Sequence, residues 1–141
     1  MLLNQNILDY AETHTSKNQH VLNELERETQ HKVLMPRMLS GNLMGSVLQL
    51  ISKLKKPKKI LEIGTYTGYS AICLAQGLSK DGQLYTIEIN EELKTIASKY
   101  IKKAKLEKKI NLLTGDALAI IPKMNLYFDI IFIDADKKNY C

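Results

Sequence analysis

The 141-residue sequence predicts an α/β fold built on a doubly wound, mainly parallel sheet. Three observations lead there. From Lys59 onward, short runs of β-forming residues alternate with amphipathic stretches, the pattern of a parallel sheet flanked by helices. The run Ile130-Ile131-Phe132-Ile133 is apolar without alternation, as expected of a strand buried on both faces. A glycine-bearing segment, Glu62 to Ser70, joins the first strand to a helix, the place where open α/β sheets bind ligands.

The first 35 residues read as helix, because Val21, Leu22, Leu25 and Thr29 keep a three-four spacing with Glu24, Glu26, Arg27 and Glu28 opposite. Pro36 ends that region, and Met38 to Asn42 reads as a loop. A second amphipathic helix carries Leu43, Met44, Val47, Leu48, Leu50, Ile51 and Leu54, and Lys55-Lys56-Pro57-Lys58 stops it. Ile60–Ile63 is the first strand, Gly64–Gly68 the turn and Ser70–Leu78 the next helix. Leu84–Glu88 is a second strand rich in β-formers. Asn90 can cap the following helix, whose apolar stripe is Leu93, Ile96, Ala97, Tyr100, Ile101 and Ala104. Ile110–Leu113 is a third strand, Ala117–Ile121 a short helix broken by Pro122, and Phe128–Ile133 a fourth strand. The chain thus divides into a helical region, 1–56, suited to dimerisation or to capping the substrate side, and a ligand-binding α/β region, 57–141.

Composition sets the class. Hydrophobic residues at 45% and charged residues at 25% are ordinary for a soluble globular protein. The apolar runs are too short to span a bilayer, and Met1-Leu2-Leu3-Asn4 lacks the pattern of a signal peptide, so no membrane association and a cytoplasmic location are expected. The net charge of +5 comes from lysine clusters around Lys53–Lys59 and Lys99–Lys109. Solvated helix faces explain them, and the one aromatic residue among them, Tyr100, falls on the apolar stripe of its helix instead of interleaving with the lysines on the opposite face. Cys73 and Cys141 suggest no disulfide framework, and His14, His20 and His31 have no zinc-like spacing.

The chemistry concentrates at strand ends. Gly64 and Gly68 permit close backbone approach but do not complete the G-x-G-x-x-G pattern, which argues against a dinucleotide site and an NAD-dependent oxidoreductase. Glu88 ends the second strand, where an acid can accept hydrogen bonds from both hydroxyls of a ribose. Gly115-Asp116-Ala117 follows the third strand and Asp134-Ala135-Asp136-Lys137 the fourth. One glycine turn and three acid-bearing strand ends converge on a nucleoside-type ligand.

These segments resemble the cation-dependent O-methyltransferases, the catechol and caffeoyl-CoA O-methyltransferases with their bacterial relatives. Leu61-Glu62-Ile63-Gly64-Thr65-Tyr66-Thr67-Gly68-Tyr69-Ser70, Thr86-Ile87-Glu88-Ile89-Asn90, Gly115-Asp116-Ala117 and Phe128 through Tyr140 carry the resemblance. It implies a Rossmann-like class I methyltransferase fold and S-adenosylmethionine (SAM) as cofactor. Met38 and Ser40 are then expected to border its methionine part. Glu62, Gly64, Tyr66, Gly68, Tyr69 and Ser70 belong to the cofactor turn, with Gly64, Tyr66, Tyr69 and Ser70 around the amino-acid end. Glu88 is expected at the ribose, Ile89 against the adenine, and Asp116 with the Ala117 amide at the adenine edge. Asp134 is the implied ligand of a divalent cation, usually Mg2+, beside the cofactor, and Lys137 the implied general base. The implied partners are a small hydroxylated, catechol-like acceptor and a second copy of the chain as homodimer, with 5-hydroxyuridine of tRNA as an alternative acceptor.

The resemblance also implies a larger sheet and further metal ligands than residues 1–141 supply. The expectation is therefore a cofactor-binding half, truncated after the fourth strand, that turns over poorly alone. A non-catalytic SAM-binding remnant is a further alternative.

Overall fold

The structure, a computed structural model, describes residues 4–135. Its elements alternate as the sequence pattern demands. Three helices come first: α1 (Gln5–His14), α2 (His20–Lys32) and α3 (Gly41–Lys55). Then follow β1 (Lys59–Ile63), α4 (Tyr69–Ala75), β2 (Gln83–Glu88), α5 (Lys94–Lys103), β3 (Ile110–Thr114), α6 (Ala117–Ile120) and β4 (Ile130–Ile133). Among the described residues, no helix is long and apolar enough to cross a membrane.

All four strands are parallel, in the order β3-β2-β1-β4. The sheet grows from β1 through β2 to β3, then returns to the other side of β1, where Ile60 faces Ile130 and Ile63 faces Ile133 in register. That reversal opens a crevice at the carboxyl ends of β1 and β4, the position favoured for ligands in such sheets. Asp129 fixes the approach to β4. Its carboxylate accepts from the backbone N–H groups of Lys58 (2.7 Å) and Lys59 (3.0 Å), which hold its pKa below the ordinary range.

The core lies between the sheet and α2, α3, α4 and α5. Leu25, Ile60, Ile72, Leu74, Leu84 and Tyr100 are buried in it. Two ion pairs clasp α2 to α5, Glu28–Lys99 at 2.5 Å and Glu24–Lys103 at 2.6 Å. The Tyr100 hydroxyl donates to Glu28 Oε2 at 2.6 Å. These donors pull the Glu28 pKa down to about 2.

Four expectations are corrected. The N-terminal region is two helices, because residues 15–19 leave helical geometry and take long-range partners instead. Asn18 Nδ2 donates to the Tyr69 hydroxyl at 2.7 Å, and Asn42 Nδ2 donates to the Ser16 carbonyl at 3.2 Å. The helix expected to reach Leu78 ends at Ala75. There the Gly77 backbone presses on α3 so closely that a Cβ would sit 2.2 Å from the Ser52 carbonyl carbon. The helix expected over Ala117–Ile121 ends at Ile120, and a 3-10 turn, Ile121–Lys123, takes over with Pro122 inside it. The fourth strand starts at Ile130 and alternates half-buried with exposed residues, Ile131 at 57% and Ile133 at 51% exposure. It is an edge strand among the described residues, and the alternation means that one of its two faces is the less covered.

Candidate functional site

Every strand contributes its carboxyl end to one open cavity of about 1230 Å3. Gly64 comes from β1, Glu88 and Ile89 from β2, Gly115, Asp116 and Ala117 from β3, and Asp134 from β4. Met38 and Tyr66 complete the part of the wall expected from sequence.

The β1 turn is shaped by where it must pass. Gly64 has φ of +99°, and a Cβ there would lie 2.4 Å from the Asp134 carbonyl oxygen. Its N–H and that of Thr65 both donate to the Ile87 carbonyl, at 3.0 and 3.2 Å. Gly68, at φ +91°, starts α4 and lies against Ala97. The glycines thus let the turn run flush between the ends of β2 and β4.

Glu88 is held from both sides. Tyr66 N–H donates to its Oε2 at 2.6 Å and Asn90 N–H to its Oε1 at 2.9 Å. A carboxylate oxygen has two lone-pair positions, so each oxygen keeps one acceptor position after these bonds. A buried acid aimed by two backbone amides, with two acceptor positions left, suits a vicinal diol. Ile89, 76% exposed, projects next to it as an apolar platform. Asp116 caps α6 by accepting from Leu118 N–H at 2.9 Å.

Glu62 lies beneath the turn rather than in the cavity wall. It is fully buried, accepts from Thr86 Oγ1 at 2.5 Å, and has no hydrogen-bond partner for Oε1 among the described residues. Thr65 extends the chain through a 2.5 Å contact between its hydroxyl and that of Thr86. Burial raises the Glu62 pKa to about 7. The Ser70 and Thr86 hydroxyls oppose the rise, and the charges of Asp134 and Glu88 add to it.

Four other expected residues also stand outside the cavity wall. Tyr69 is buried, and its hydroxyl meets Asn18 on the far side of α4, where burial holds the phenol well above its usual range. Ser70 is buried at the start of α4, Gly68 faces α5, and Ser40 precedes α3. Lys137, with Asp136, lies outside the described residues.

The cavity extends further than the sequence reading. Glu28, Lys32, Val33, Leu34 and Met35 from α2 and the segment after it form a wall, with Ile96 and Lys99 of α5 near it. The apolar run Val33-Leu34-Met35 before Pro36 was the available signal. The Tyr66 hydroxyl donates to the carbonyls of Leu34 (3.1 Å) and Met35 (3.2 Å), which no local pattern announces.

The donor set separates two groups that the resemblance implied. SAM fits: a buried acid for the ribose, an apolar platform for a base and a glycine turn for close approach face one cavity. A magnesium ion does not fit on the described residues alone. Asp134 brings one carboxylate, no group of three His, Cys, Asp or Glu side chains gathers among the described residues, and Mg2+ takes octahedral oxygen ligation.

Comparison with known proteins gives the same direction. A family model described as O-methyltransferase matches residues 12–141. The catechol O-methyltransferase of Niastella koreensis is 40% identical over 110 residues, covering 75% of this chain and 50% of that protein. The caffeoyl-CoA O-methyltransferase of Stellaria longipes is 34% identical over 144 aligned residues, covering 98% and 58%. The O-methyltransferase from Bacillus cereus, solved in complex with SAH, has a TM-score of 0.84 at 36% identity, covering 93% of this chain and 61% of that one. TomG from Streptomyces achromogenes, solved in complex with SAM, has a TM-score of 0.85 at 28% identity, with 97% and 64% covered. The chain therefore spans half to two thirds of the length of these relatives. Its four-stranded Rossmann-like sheet is the methyltransferase arrangement, and the chain belongs to the O-methyltransferase family.

Proposed function

We propose that this chain is the SAM-binding part of an O-methyltransferase that methylates a hydroxyl of a small, catechol-like acceptor. The observation that carries the reading is Glu88, buried at the end of β2 and pre-aimed by the Tyr66 and Asn90 amides. Its two remaining acceptor positions match the 2′ and 3′ hydroxyls of the cofactor ribose. Ile89 supplies a face for adenine, the Ala117 amide and Asp116 its edge, and Met38 borders the methionine part.

Bound SAM supplies an electrophilic methyl group on a sulfonium. Transfer of that methyl group to the acceptor oxygen, with cleavage of the carbon–sulfur bond, would release S-adenosylhomocysteine as a neutral thioether. A phenol titrates near pH 10, as the tyrosine side chain does, so its proton needs a base at neutral pH. We assign that role to Lys137 on the sequence motif alone. A divalent cation at Asp134 is an expectation of the same motif, and the chemistry assigned here routes no step through it.

Isothermal titration calorimetry of the 141-residue chain with S-adenosylhomocysteine, with NAD as control, tests the reading. Binding of S-adenosylhomocysteine and not of NAD is expected. A folded chain that binds NAD, or neither compound, overturns it.

A further inference from the structure

We infer that Tyr66 is a positioning residue that latches the segment Leu34–Met38 as the movable wall of the cofactor cavity; this rests on the function proposed above. Tyr66 makes two connections in opposite directions. Its backbone N–H holds Glu88 Oε2 at 2.6 Å, and its side-chain hydroxyl reaches the Leu34 and Met35 carbonyls at 3.1 and 3.2 Å. The carboxylate proposed to hold the ribose and the segment proposed to border the methionine part are thus tied through one residue.

The backbone at both ends of the hydroxyl contact is strained. Tyr66 has φ of +52° and Met35 of +57°, left-handed conformations that side-chain-bearing residues seldom adopt. Two such residues hydrogen-bonded to one another at the mouth of a cavity mark a place where surrounding contacts hold the chain against its preference, as ligand clamps do. The Tyr66 hydroxyl spans the gap between them.

The segment it holds is otherwise lightly anchored. Leu34 is 89% exposed, and Met35 and Met38 are each 53% exposed, although all three line the cavity. Three apolar side chains on a cavity wall, mostly in water, become buried when an apolar part of a ligand sits against them. The thioether end of S-adenosylhomocysteine has that character. Ligand binding at Glu88 fixes the Tyr66 backbone, the phenol fixes Met35, and Leu34 and Met38 then close on the ligand.

The test compares the wild-type chain, Tyr66→Phe and Tyr66→Phe/Met35→Gly by amide hydrogen exchange and by calorimetry with S-adenosylhomocysteine. Phenylalanine keeps the ring and loses the hydroxyl. Exchange at residues 34–39 is expected to quicken by about 3- to 10-fold in ligand-free Tyr66→Phe, with β1 and α4 unchanged, and the dissociation constant to rise by about the same factor. Glycine accepts positive φ without steric cost, so Met35→Gly is expected to recover part of the lost affinity. Faster exchange confined to 34–39 separates this role from a merely structural one, which would loosen β1 and α4 as well. Unchanged exchange at 34–39 in ligand-free Tyr66→Phe overturns the latch whatever the chain binds. Faster exchange with unchanged affinity overturns the coupling to the ligand. A wild-type chain that fails to bind S-adenosylhomocysteine overturns the function proposed above and the coupling with it, while the ligand-free exchange still decides the latch.

Discussion

Gly64 and Asp134 meet backbone to backbone. A Cβ on Gly64 would stand 2.4 Å from the Asp134 carbonyl oxygen, and Asp134 N–H donates to the Ile63 carbonyl at 2.9 Å. The end of β4 is thereby seated directly on the β1 turn. Gly64→Ala adds a collision with backbone, which cannot swing aside, and a left-handed penalty at φ +99°. The expected loss is about 2–4 kcal/mol of stability in urea unfolding, with at least a tenfold weaker hold on S-adenosylhomocysteine. An alanine variant as stable as the parent would refute the close approach.

Glu88→Gln tests the ribose assignment. The amide group is isosteric but neutral, and its NH2 end must face one of the two N–H donors that now point at the carboxylate. Loss of charge-assisted bonds and of one acceptor pair is expected to weaken S-adenosylhomocysteine binding about 10- to 100-fold. Calorimetry measures this directly. Equal affinity in the variant would move the ribose elsewhere.

Glu62 makes stability fall with rising pH. Its ordinary pKa is 4.5 and its folded value is about 7, because burial disfavours the charge. Between those values the folded chain keeps a proton that the unfolded chain has released. The contribution is complete below 4.5, declines through the window and is gone above 7. Glu62→Gln stays neutral throughout. Its stability from pH 4.5 to 7 is expected to decline less steeply than the wild type's, by roughly 2–3 kcal/mol across the window. Parallel curves from urea unfolding at several pH values would contradict the raised pKa.

Glu28 acts with the opposite sign. Lys99, Tyr100 and Lys32 hold its folded pKa at about 2 against an ordinary 4.5. Its contribution is present above 4.5 and is lost as pH falls toward 2. Glu28→Gln is expected to lower stability at pH 7 by roughly 1 kcal/mol, since the lysines are partly solvated. Thermal unfolding should show the difference shrinking near pH 2 and in high salt. A deficit that persists unchanged at low pH points to packing instead of charge.

How much of this was legible in the sequence depended on how local its cause was. The stripe on α5 is visible because Ala97, Tyr100 and Ile101 recur at helical spacing and end buried. Glu88 is visible because a strand end fixes its position. Tyr69 and Ser70 are site residues only by what the resemblance implies for the end of the glycine turn. All seven residues of α4 are buried, so no polar face reveals which side meets the cavity, and Tyr69 turns away to Asn18, 51 residues earlier. The break at residues 15–19 escapes notice for the same reason. Leu34 and Met35 on the cavity wall are met by a phenol more than 30 residues away.

The strand order β3-β2-β1-β4 also sets a timetable. The pairs β1–β2 and β2–β3 join segments roughly 25 residues apart, and chains favour such near partners early. β4 pairs with β1 across 70 residues, Ile60 with Ile130. On a ribosome, the β1 turn therefore emerges long before the carbonyl that Gly64 must fit beneath. The pairs β1–β2 and β2–β3 need nothing from β4, whereas the crevice between the ends of β1 and β4 is complete only once β4 has paired.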